Sequence, residues 1–199
     1  MEIVYFATQN RGKLDFVKEV LESRYQIEVI HVPLDLSEIK AERVEDVAME
    51  KARVAFREIS DRCIAIDSGL FIPSLKGYPS TDVNKVLEKL GIEGLLKLME
   101  GKKDRSCEIR PCLAYFDEGL TRPIPYTSRI HGTLSKEIRG GTREYHWSDL
   151  ARIFVPAGHD KTEGEMTETE YNKWRIESDK TVSDFGRFYK LRMERKAKS

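Results

Sequence analysis

The chain has 199 residues, 40% of them hydrophobic, so it can bury one sizeable core and is not predicted to be disordered. Its 34 Lys and Arg residues equal its 34 Asp and Glu residues, which excludes the broad positive field that gathers nucleic acid or an acidic membrane surface. No apolar run approaches the ~20 residues that span a membrane, and the three cysteines contain no CxxC pair. We therefore expect a single cytoplasmic domain over residues 1–199, with no nucleic-acid or membrane partner.

The first third of the chain alternates predicted strands and helices. The run "IVYFA" predicts a buried strand, and apolar residues recur at helical spacing after it. The segment "QIEVIHV" predicts a second strand that stops before Pro33, "VEDVAMEKARVAFREI" a second helix, and "RCIAID" a short buried third strand. This βαβαβ order favours a three-layer α/β arrangement around a central sheet.

The rest of the chain mixes helices with an antiparallel region. "SGLFIPSLKGYPS" looks too irregular for an element, whereas "DVNKVLEKLGIEGLLKLMEG" predicts two short helices separated by Gly91. Residues 105–134 predict a long antiparallel ribbon, "KEIRGGTREYHWSD" a loop and "ARIFVPAG" a strand. "TEGEM" is typical of a helix start capped by Thr162, and residues 181–196 predict a final helix.

The turn "TQNRGK" between the first strand and the first helix is a candidate anion site. Backbone N–H groups at a helix N-terminus are unsatisfied and carry partial positive charge, and Lys13 adds a full charge. The first glycine and the final Ser or Thr of a phosphate-binding P-loop are missing, because Ala7 and Leu14 stand at those positions. Taken alone, the segment favours a simpler interpretation, in which Thr8 or Asn10 caps the helix and Lys13 is solvated.

Two acidic residues are expected at the same edge of the sheet as this turn. Asp67 in "AIDSGL" is predicted to follow a buried strand, with Ser68 and Gly69 shaping a turn, and Glu38 lies in the loop after the second strand. Carboxylates there could hold a hard cation or polarise water, although a role for Asp67 as a simple turn former is as well supported by the tripeptide. With the basic turn near Thr8, these acids indicate metal-assisted phosphoryl chemistry.

Five segments follow one another in the order of the motifs of a known family. They are "FATQNRGKLDFVKEVL", "DLSE", "EKA", "AIDSGLFIPSLKGYPSTDVNKVLEKLGIEGLLKLMEG" and "GHDKTEGEM". Through them the sequence resembles the inosine triphosphate pyrophosphatase family from Met1 to about Met166. The resemblance implies an elongated two-lobed α/β fold with a central mixed sheet and a cleft between lobes, and a homodimer. It also implies magnesium-dependent hydrolysis of ITP, dITP and XTP to monophosphate and pyrophosphate.

The resemblance also assigns roles to individual residues. The turn from Thr8 to Lys13 matches the family's triphosphate-binding turn, Lys51 matches a lysine that faces the phosphates, and Glu38 and Asp67 match acids that bind metal and activate water. The implied catalytic residues are Asp67 and Lys13, and the implied Mg²⁺ ligands are Glu38 and Asp67. The implied substrate-binding residues are Thr8, Asn10, Lys13, Lys51, Ser68, Gly69, Trp147, Asp149, Lys180 and Ser183.

Two departures from the family pattern concern the metal and the base. The family has two adjacent acids before Ser-Gly, and here the first position is Ile66. The family's Gly-Phe-Gly-Trp/Tyr-Asp-Pro segment, whose aromatic residue stacks on the base, corresponds to "REYHWSDLARIF", in which Trp147 and Asp149 stand in. The sequence therefore predicts a weakened magnesium site, or one that depends more on Glu38.

A third departure lies near the C-terminus. The family's Ser-His-Arg, which reads the 6-oxo group of the purine, corresponds to "SDF", with Asp184 and Phe185 at the His and Arg positions. An acceptor such as Asp184 would suit an exocyclic amine, which predicts a different base preference. The alternative is a local misalignment in which Arg187 or Lys180 supplies the positive charge.

Two further functions stay open beside the enzyme of this family. The first is a nucleotide-binding or regulatory protein that keeps the triphosphate turn but has reduced or lost catalysis, as the change at Ile66 suggests. The second is a pyrophosphatase that acts on nucleotides with another base. Magnesium-dependent release of pyrophosphate separates the first from an enzyme, and product analysis separates the second.

Overall fold

The computed structural model describes residues 2–36 and 39–196. Its strands form one mixed sheet in the order β2-β1-β3-β5-β7-β8, with β4 paired to β3 and β6 paired to β5. The strands are β1 Glu2–Ala7, β2 Ile27–Val32, β3 Cys63–Phe71, β4 Pro79–Ser80, β5 Ser106–Phe116, β6 Ile124–Thr127, β7 Ile130–Leu134 and β8 Phe154–Pro156. The helices are α1 Arg11–Tyr25, α2 Val44–Ile59, α3 Val83–Leu98, α4 Glu168–Ser178 and α5 Thr181–Lys196, and 3₁₀ turns cover Pro73–Leu75, Asp149–Arg152 and Glu163–Glu165.

Helices cover both faces of the first part of the sheet. Side chains alternate along a strand, so neighbouring residues of β3 pack on opposite faces of the sheet. Ile64 and Ile66 pack with α1 and α5 on one face. Ala65 packs on the opposite face with the alanines of α2, including Ala48 and Ala52. The predicted three-layer α/β arrangement is confirmed, with β1 parallel to both β2 and β3.

A second core lies at the other end of β3 and β5. Leu70 and Ile72 from the end of β3 and Ile109 from the start of β5 pack there with residues of α3, α4 and β8. The strands β3 and β5 pair antiparallel along the whole of β3, from Cys63↔Phe116 to Phe71↔Glu108. They therefore run through both cores, and the two-lobed fold with a central mixed sheet follows from their length.

The prediction that the third strand ends at Asp67 is wrong. β3 continues to Phe71, and the predicted turn at Ser68 and Gly69 is a strand paired with Pro111 and Arg110. The long β5 strand places a residue opposite every residue of β3, and this pairing outweighs the turn-forming tendency of "DSG".

The remaining helices differ partly from expectation. Thr162 does form a capping box with Glu165, but the helix is only one 3₁₀ turn. A second capping box, at Thr167 and Glu170, begins α4. Two of the predictions are confirmed, since Gly91 interrupts α3 at φ 66° and the last helix spans Thr181–Lys196.

Candidate functional site

A cleft of about 780 Å³ lies between the two lobes. The first lobe supplies the β1–α1 turn, one residue of α2 and the middle of β3. The second lobe supplies the first turns of α3 and the 3₁₀ turn after Trp147. The lining residues named in the sequence analysis are Thr8, Asn10, Lys13, Lys51, Ile66, Ser68, Gly69, Trp147 and Asp149.

The β1–α1 turn is a helix N-terminus that opens into this cleft. Asn10 is the N-cap of α1, and its Oδ1 accepts a hydrogen bond from Lys13 N at 2.9 Å. Asn10 N donates to Thr8 Oγ1 at 3.1 Å, and the Thr8 carbonyl oxygen lies 2.9 Å from His31 Nε2. The capping role and the anion-binding role predicted for this turn are compatible, because a well-capped helix also presents its remaining N–H groups to an anion.

The same turn is tied to the loop that carries Trp147. Asn10 Nδ2 donates to the Trp147 carbonyl oxygen at 2.8 Å, and Lys13 Nζ lies 5.3 Å from the centre of the indole ring. Gly12 makes the close approach possible, since a Cβ there would lie 2.6 Å from the Tyr145 carbonyl oxygen. The β1–α1 turn and the Trp147 loop are therefore held together as one unit.

A buried ion pair lies beside the phosphate turn. Lys51 Nζ donates to Asp67 Oδ1 at 2.5 Å, and the side chains of Lys51 and Asp67 are 11% and 2% exposed. Alternation along β3 places Asp67 on the face of Ala65, which is the face covered by α2 and hence by Lys51. The chain thus places a carboxylate and a lysine against each other at the edge of the cleft.

Ile66 contributes its backbone to the site instead of a carboxylate. Its carbonyl oxygen accepts a hydrogen bond from Lys13 Nζ at 3.3 Å, and its side chain is 5% exposed in the core under α1. Because neighbouring side chains on a strand point to opposite faces, an acid at position 66 would face away from the side of Asp67.

One buried carboxylate at the edge of the cleft, that of Asp67, could hold a metal ion that arrives with phosphates. Among residues 2–36 and 39–196, no group of three or more His, Cys, Asp or Glu side chains is arranged to hold a metal. The predicted ligand Glu38 lies outside the described residues. Magnesium in nucleotide sites is usually held by one or two carboxylates together with the substrate's phosphates, a requirement that Asp67 can meet as a single protein ligand.

Two of the predicted substrate-binding residues are placed elsewhere. Lys180 and Ser183 are not among the described residues that line the cleft. Lys180 is exposed, and its backbone N donates to Ser128 Oγ at 2.9 Å. Phe185 is fully buried in the first core, and Asp184 forms an exposed ion pair with Arg187. Asp184, which was predicted to read the base, does not belong to the described residues that line the cleft. The same is true of Arg187, the alternative source of positive charge.

The sequence analysis missed the wall formed by α3. Asn84 and Glu88 line the cleft from the first turns of this helix, one helical turn apart, while Val83 and Val86 are buried. The alternation of buried valines and polar residues in "DVNKVLEK" is the signal that could have identified a polar face. Gln9, Asp35, Lys85 and Ser148 are further lining residues that were not predicted.

The comparisons with known proteins agree with this fold. The sequence profile of the Ham1 family matches residues 4–178. A protein of Methanopyrus kandleri named dITP/XTP pyrophosphatase is 36% identical over 187 residues, which cover 94% of this chain and 96% of that protein. A protein of Ignicoccus hospitalis with the same name is 37% identical and covers 83% of this chain and 85% of its own length. The chain belongs to the Ham1 family, which confirms the resemblance drawn from its motifs.

Solved structures show the same fold at lower identity. A HAM1 protein from Coxiella burnetii superposes with a TM-score of 0.77 at 22% identity, covering 95% of this chain and 98% of that one. The Ham1 protein of Staphylococcus aureus gives a TM-score of 0.76 at 20% identity, covering 96% of this chain and all of its own. These likenesses confirm the predicted α/β fold class.

Proposed function

We propose that the protein hydrolyses deaminated purine nucleoside triphosphates, namely ITP, dITP and XTP, to the monophosphate and pyrophosphate. The observation that carries the proposal is the buried pair of Asp67 with Lys51, whose lysine lines the same cleft as the N-terminal turn of α1. The names of the relatives from Methanopyrus kandleri and Ignicoccus hospitalis support the same reaction class. The enzyme class predicted from the sequence agrees with them.

The phosphates would lie against the β1–α1 turn. Free N–H groups of the first turn of α1, together with Lys13 and Lys51, offset the charge of the triphosphate. Lys13 is held near the strand by the Ile66 carbonyl oxygen, so its ammonium group is positioned before substrate arrives. This placement lowers the entropic cost of binding, since the cation does not have to be ordered by the ligand.

Asp67 is the group we propose to act on the attacking water. When the Lys51 ammonium turns to a phosphate oxygen, Asp67 becomes free to accept a proton from water. The water oxygen then forms a bond to the α-phosphorus while the bond from that phosphorus to the bridging oxygen breaks, and pyrophosphate leaves. The reaction consumes one water and needs no oxidant or further reactant.

Magnesium is the cofactor that we propose for this reaction. Bound with the triphosphate, the ion supplies neutralisation of charge on the phosphate oxygens. Among the described residues, Asp67 would bind the magnesium ion. We also propose Glu38 as a ligand of the ion, as the sequence predicts.

The base would stack against Trp147, with Asp149 beside it. The Asp149 carboxylate accepts a hydrogen bond from Thr142 Oγ1, which fixes one of its oxygens. We propose that Ser68 and Gly69, on β3, make close contacts with the phosphates. The roles of Lys180 and Ser183 stay predictions.

We further propose that the protein is a cytoplasmic homodimer. The three cysteines are free and buried, which supports a reducing compartment. No helix among the described residues combines the length and the apolar character needed to cross a membrane. The balanced charge supports a small nucleotide as the partner, and not a nucleic acid.

The test is pyrophosphate release by the purified protein across inosine, xanthosine, adenosine, guanosine, cytidine and uridine triphosphates, with magnesium and with EDTA. We expect magnesium-dependent release that is selective for the inosine and xanthosine nucleotides. Release from other bases would retain the chemistry and change the specificity. Nucleotide binding without release from any base would favour the alternative, a binding or regulatory protein, for which the acid missing at Ile66 is the supporting observation.

A further inference from the structure

We infer that Arg175 is a positioning residue for the indole of Trp147, so that the two C-terminal helices act on base binding through this ring. The inference rests on the proposed function, because it takes Trp147 as the surface on which the base stacks. In place of a direct contact of Asp184 or Arg187 with the base, α4 contributes to base binding indirectly.

The guanidinium of Arg175 lies over the face of the indole. Its Cζ lies 3.6 Å from the centre of the Trp147 ring, the separation of two planar groups in contact. The Arg175 residue is 2% exposed, whereas Trp147 is half-buried and lines the cleft. Arg175 therefore supports the indole from the interior and is itself closed off from the nucleotide.

The orientation of the indole depends on such packing, because its own polar atom does not fix it. Trp147 Nε1 is buried and has no hydrogen-bond partner within the part of the chain that the structure describes. The Asn10 hydrogen bond holds the Trp147 backbone but does not restrain the ring. Besides Arg175, the ring contacts Phe16 edge-on, with centroids 5.9 Å apart at 64°.

Arg175 is in turn held by Asp179. Arg175 Nη2 donates to Asp179 Oδ2 at 3.1 Å, and the two side chains are 3% and 0% exposed. The other oxygen of Asp179 accepts hydrogen bonds from Thr181 N at 3.0 Å and Thr181 Oγ1 at 2.7 Å. Since Thr181 begins α5, the chain of contacts runs from the start of the last helix through Asp179 and Arg175 to the wall of the cleft.

Replacement of Arg175 by lysine separates stacking from charge. An ammonium group can still pair with Asp179, but it lacks the planar face that lies against the indole. A purely structural role, in which Arg175 only neutralises a buried carboxylate, predicts that lysine is tolerated. A positioning role predicts that it is not, even where the fold is intact.

The experiment uses Trp174→Phe as a background, because the chain has 2 tryptophans and Trp147 is then the sole fluorophore of this type. In this background we compare Arg175→Lys with Arg187→Lys, an exposed arginine outside the cleft. We expect Arg175→Lys to raise KM for ITP about tenfold, to shift the Trp147 emission, and to leave the affinity for inorganic tripolyphosphate unchanged. Arg187→Lys should change none of these.

Several outcomes overturn the inference while leaving the proposed function standing. They are an unchanged KM in a folded Arg175→Lys variant, an equal loss of affinity for ITP and tripolyphosphate, or a KM effect in Arg187→Lys. If Arg175→Lys does not fold, Asp179→Asn replaces it, and a folded Asp179→Asn variant with unchanged KM and unchanged Trp147 emission also overturns the inference. If the wild-type protein released no pyrophosphate, the proposed function would be refuted instead. The quenching of Trp147 fluorescence by ITP, and its weakening in Arg175→Lys, would then still test this inference.

Discussion

At the scale of single residues, Asp67 combines burial with the chemical role that we propose for it. Its carboxylate is almost inaccessible and is compensated by Lys51, so the pair is stable only while both members are present. A charge pair of this kind at the edge of a nucleotide cleft can exchange partners when phosphates arrive. The free energy that folding spends on burying this ion pair is thus linked to the role that we propose for the pair in nucleotide binding.

Replacing Asp67 by Asn is expected to lower pyrophosphate release by about 10²–10⁴-fold, since the amide cannot accept a proton from water. The change also leaves Lys51 without its carboxylate, which costs up to about 3–5 kcal/mol of stability. Activity assays paired with thermal unfolding check both effects. Asp61→Asn, on a partly exposed loop residue, is the matched control and should retain full activity. Full turnover by Asp67→Asn would remove Asp67 from the mechanism.

Glu163 is a second buried acid, and it predicts a dependence of stability on pH. Burial raises its pKa to about 7, with Arg175 partly opposing the rise, and Oε1 has no hydrogen-bond partner within residues 2–36 and 39–196. The folded state therefore holds this proton more tightly than the unfolded state, whose pKa is 4.5. Stability falls as pH rises from 4.5 to about 7 and changes no further through this group above that.

Glu163→Gln removes this ionisation, and the variant should gain up to about 3 kcal/mol over the wild type at pH 8. At pH 4 the gain should be absent or far smaller. Urea unfolding at both values measures the difference, with the exposed Glu177→Gln on α4 as control. An equal effect of Glu163→Gln at the two pH values would show that the pKa of this carboxyl is not raised.

At the scale of elements, the contact between α1 and the Trp147 loop depends on one missing side chain. A Cβ at Gly12 would lie 2.6 Å from the Tyr145 carbonyl oxygen and 2.7 Å from that of His146, and backbone atoms cannot rotate away. Gly12→Ala should therefore displace the loop, cost about 1–3 kcal/mol and raise KM. Thermal unfolding and nucleotide titration test this. In Gly141→Ala the nearest atom is the mobile end of Arg143, so that control should be mild; a similar result for both variants would refute the argument.

Local sequence patterns predicted most elements of this fold because periodicity and capping act over a few residues. The βαβαβ start, the break at Gly91 and the last helix are cases in which neighbouring residues determine the outcome. The course of β3 past Asp67 could not be predicted in this way. It depends on pairing with β5, whose residues lie some forty positions later in the chain.

The candidate site shows the same division. The phosphate turn and the acid of β3 were predicted from short motifs and are brought into or beside one cleft. The polar residues of α3 were missed, and Ser183 is not among the described residues that line the cleft, so its role stays a prediction. Which side chains meet across a cleft is decided by the packing of two lobes, and no local pattern encodes it.

At the scale of the whole molecule, two cores share the strands β3 and β5, and this predicts unfolding in a single transition. Separation of the lobes would break the pairing of both strands at once. Trp147 packs against the first core and Trp174 lies in the second, so Trp174→Phe and Trp147→Phe each report on one core. Their urea midpoints should coincide, after correction for the effect of each substitution on stability measured by circular dichroism. Two separated midpoints would show that the lobes unfold independently.

The alanine face of α2 has a consequence for how the protein can change over generations. Ala48, Ala52 and Ala55 are fully buried, and their small side chains let α2 lie close to the sheet. The height of the helix above the sheet sets how far the Lys51 ammonium extends towards β3. One added methyl group in this layer would move the Lys51 ammonium by a distance comparable to the range of lengths over which a hydrogen bond forms. In a map of mutational fitness, these alanines would tolerate substitution as poorly as the two residues of the ion pair. Changes in the volume of these buried side chains could therefore alter turnover in steps, without any substitution at the cleft.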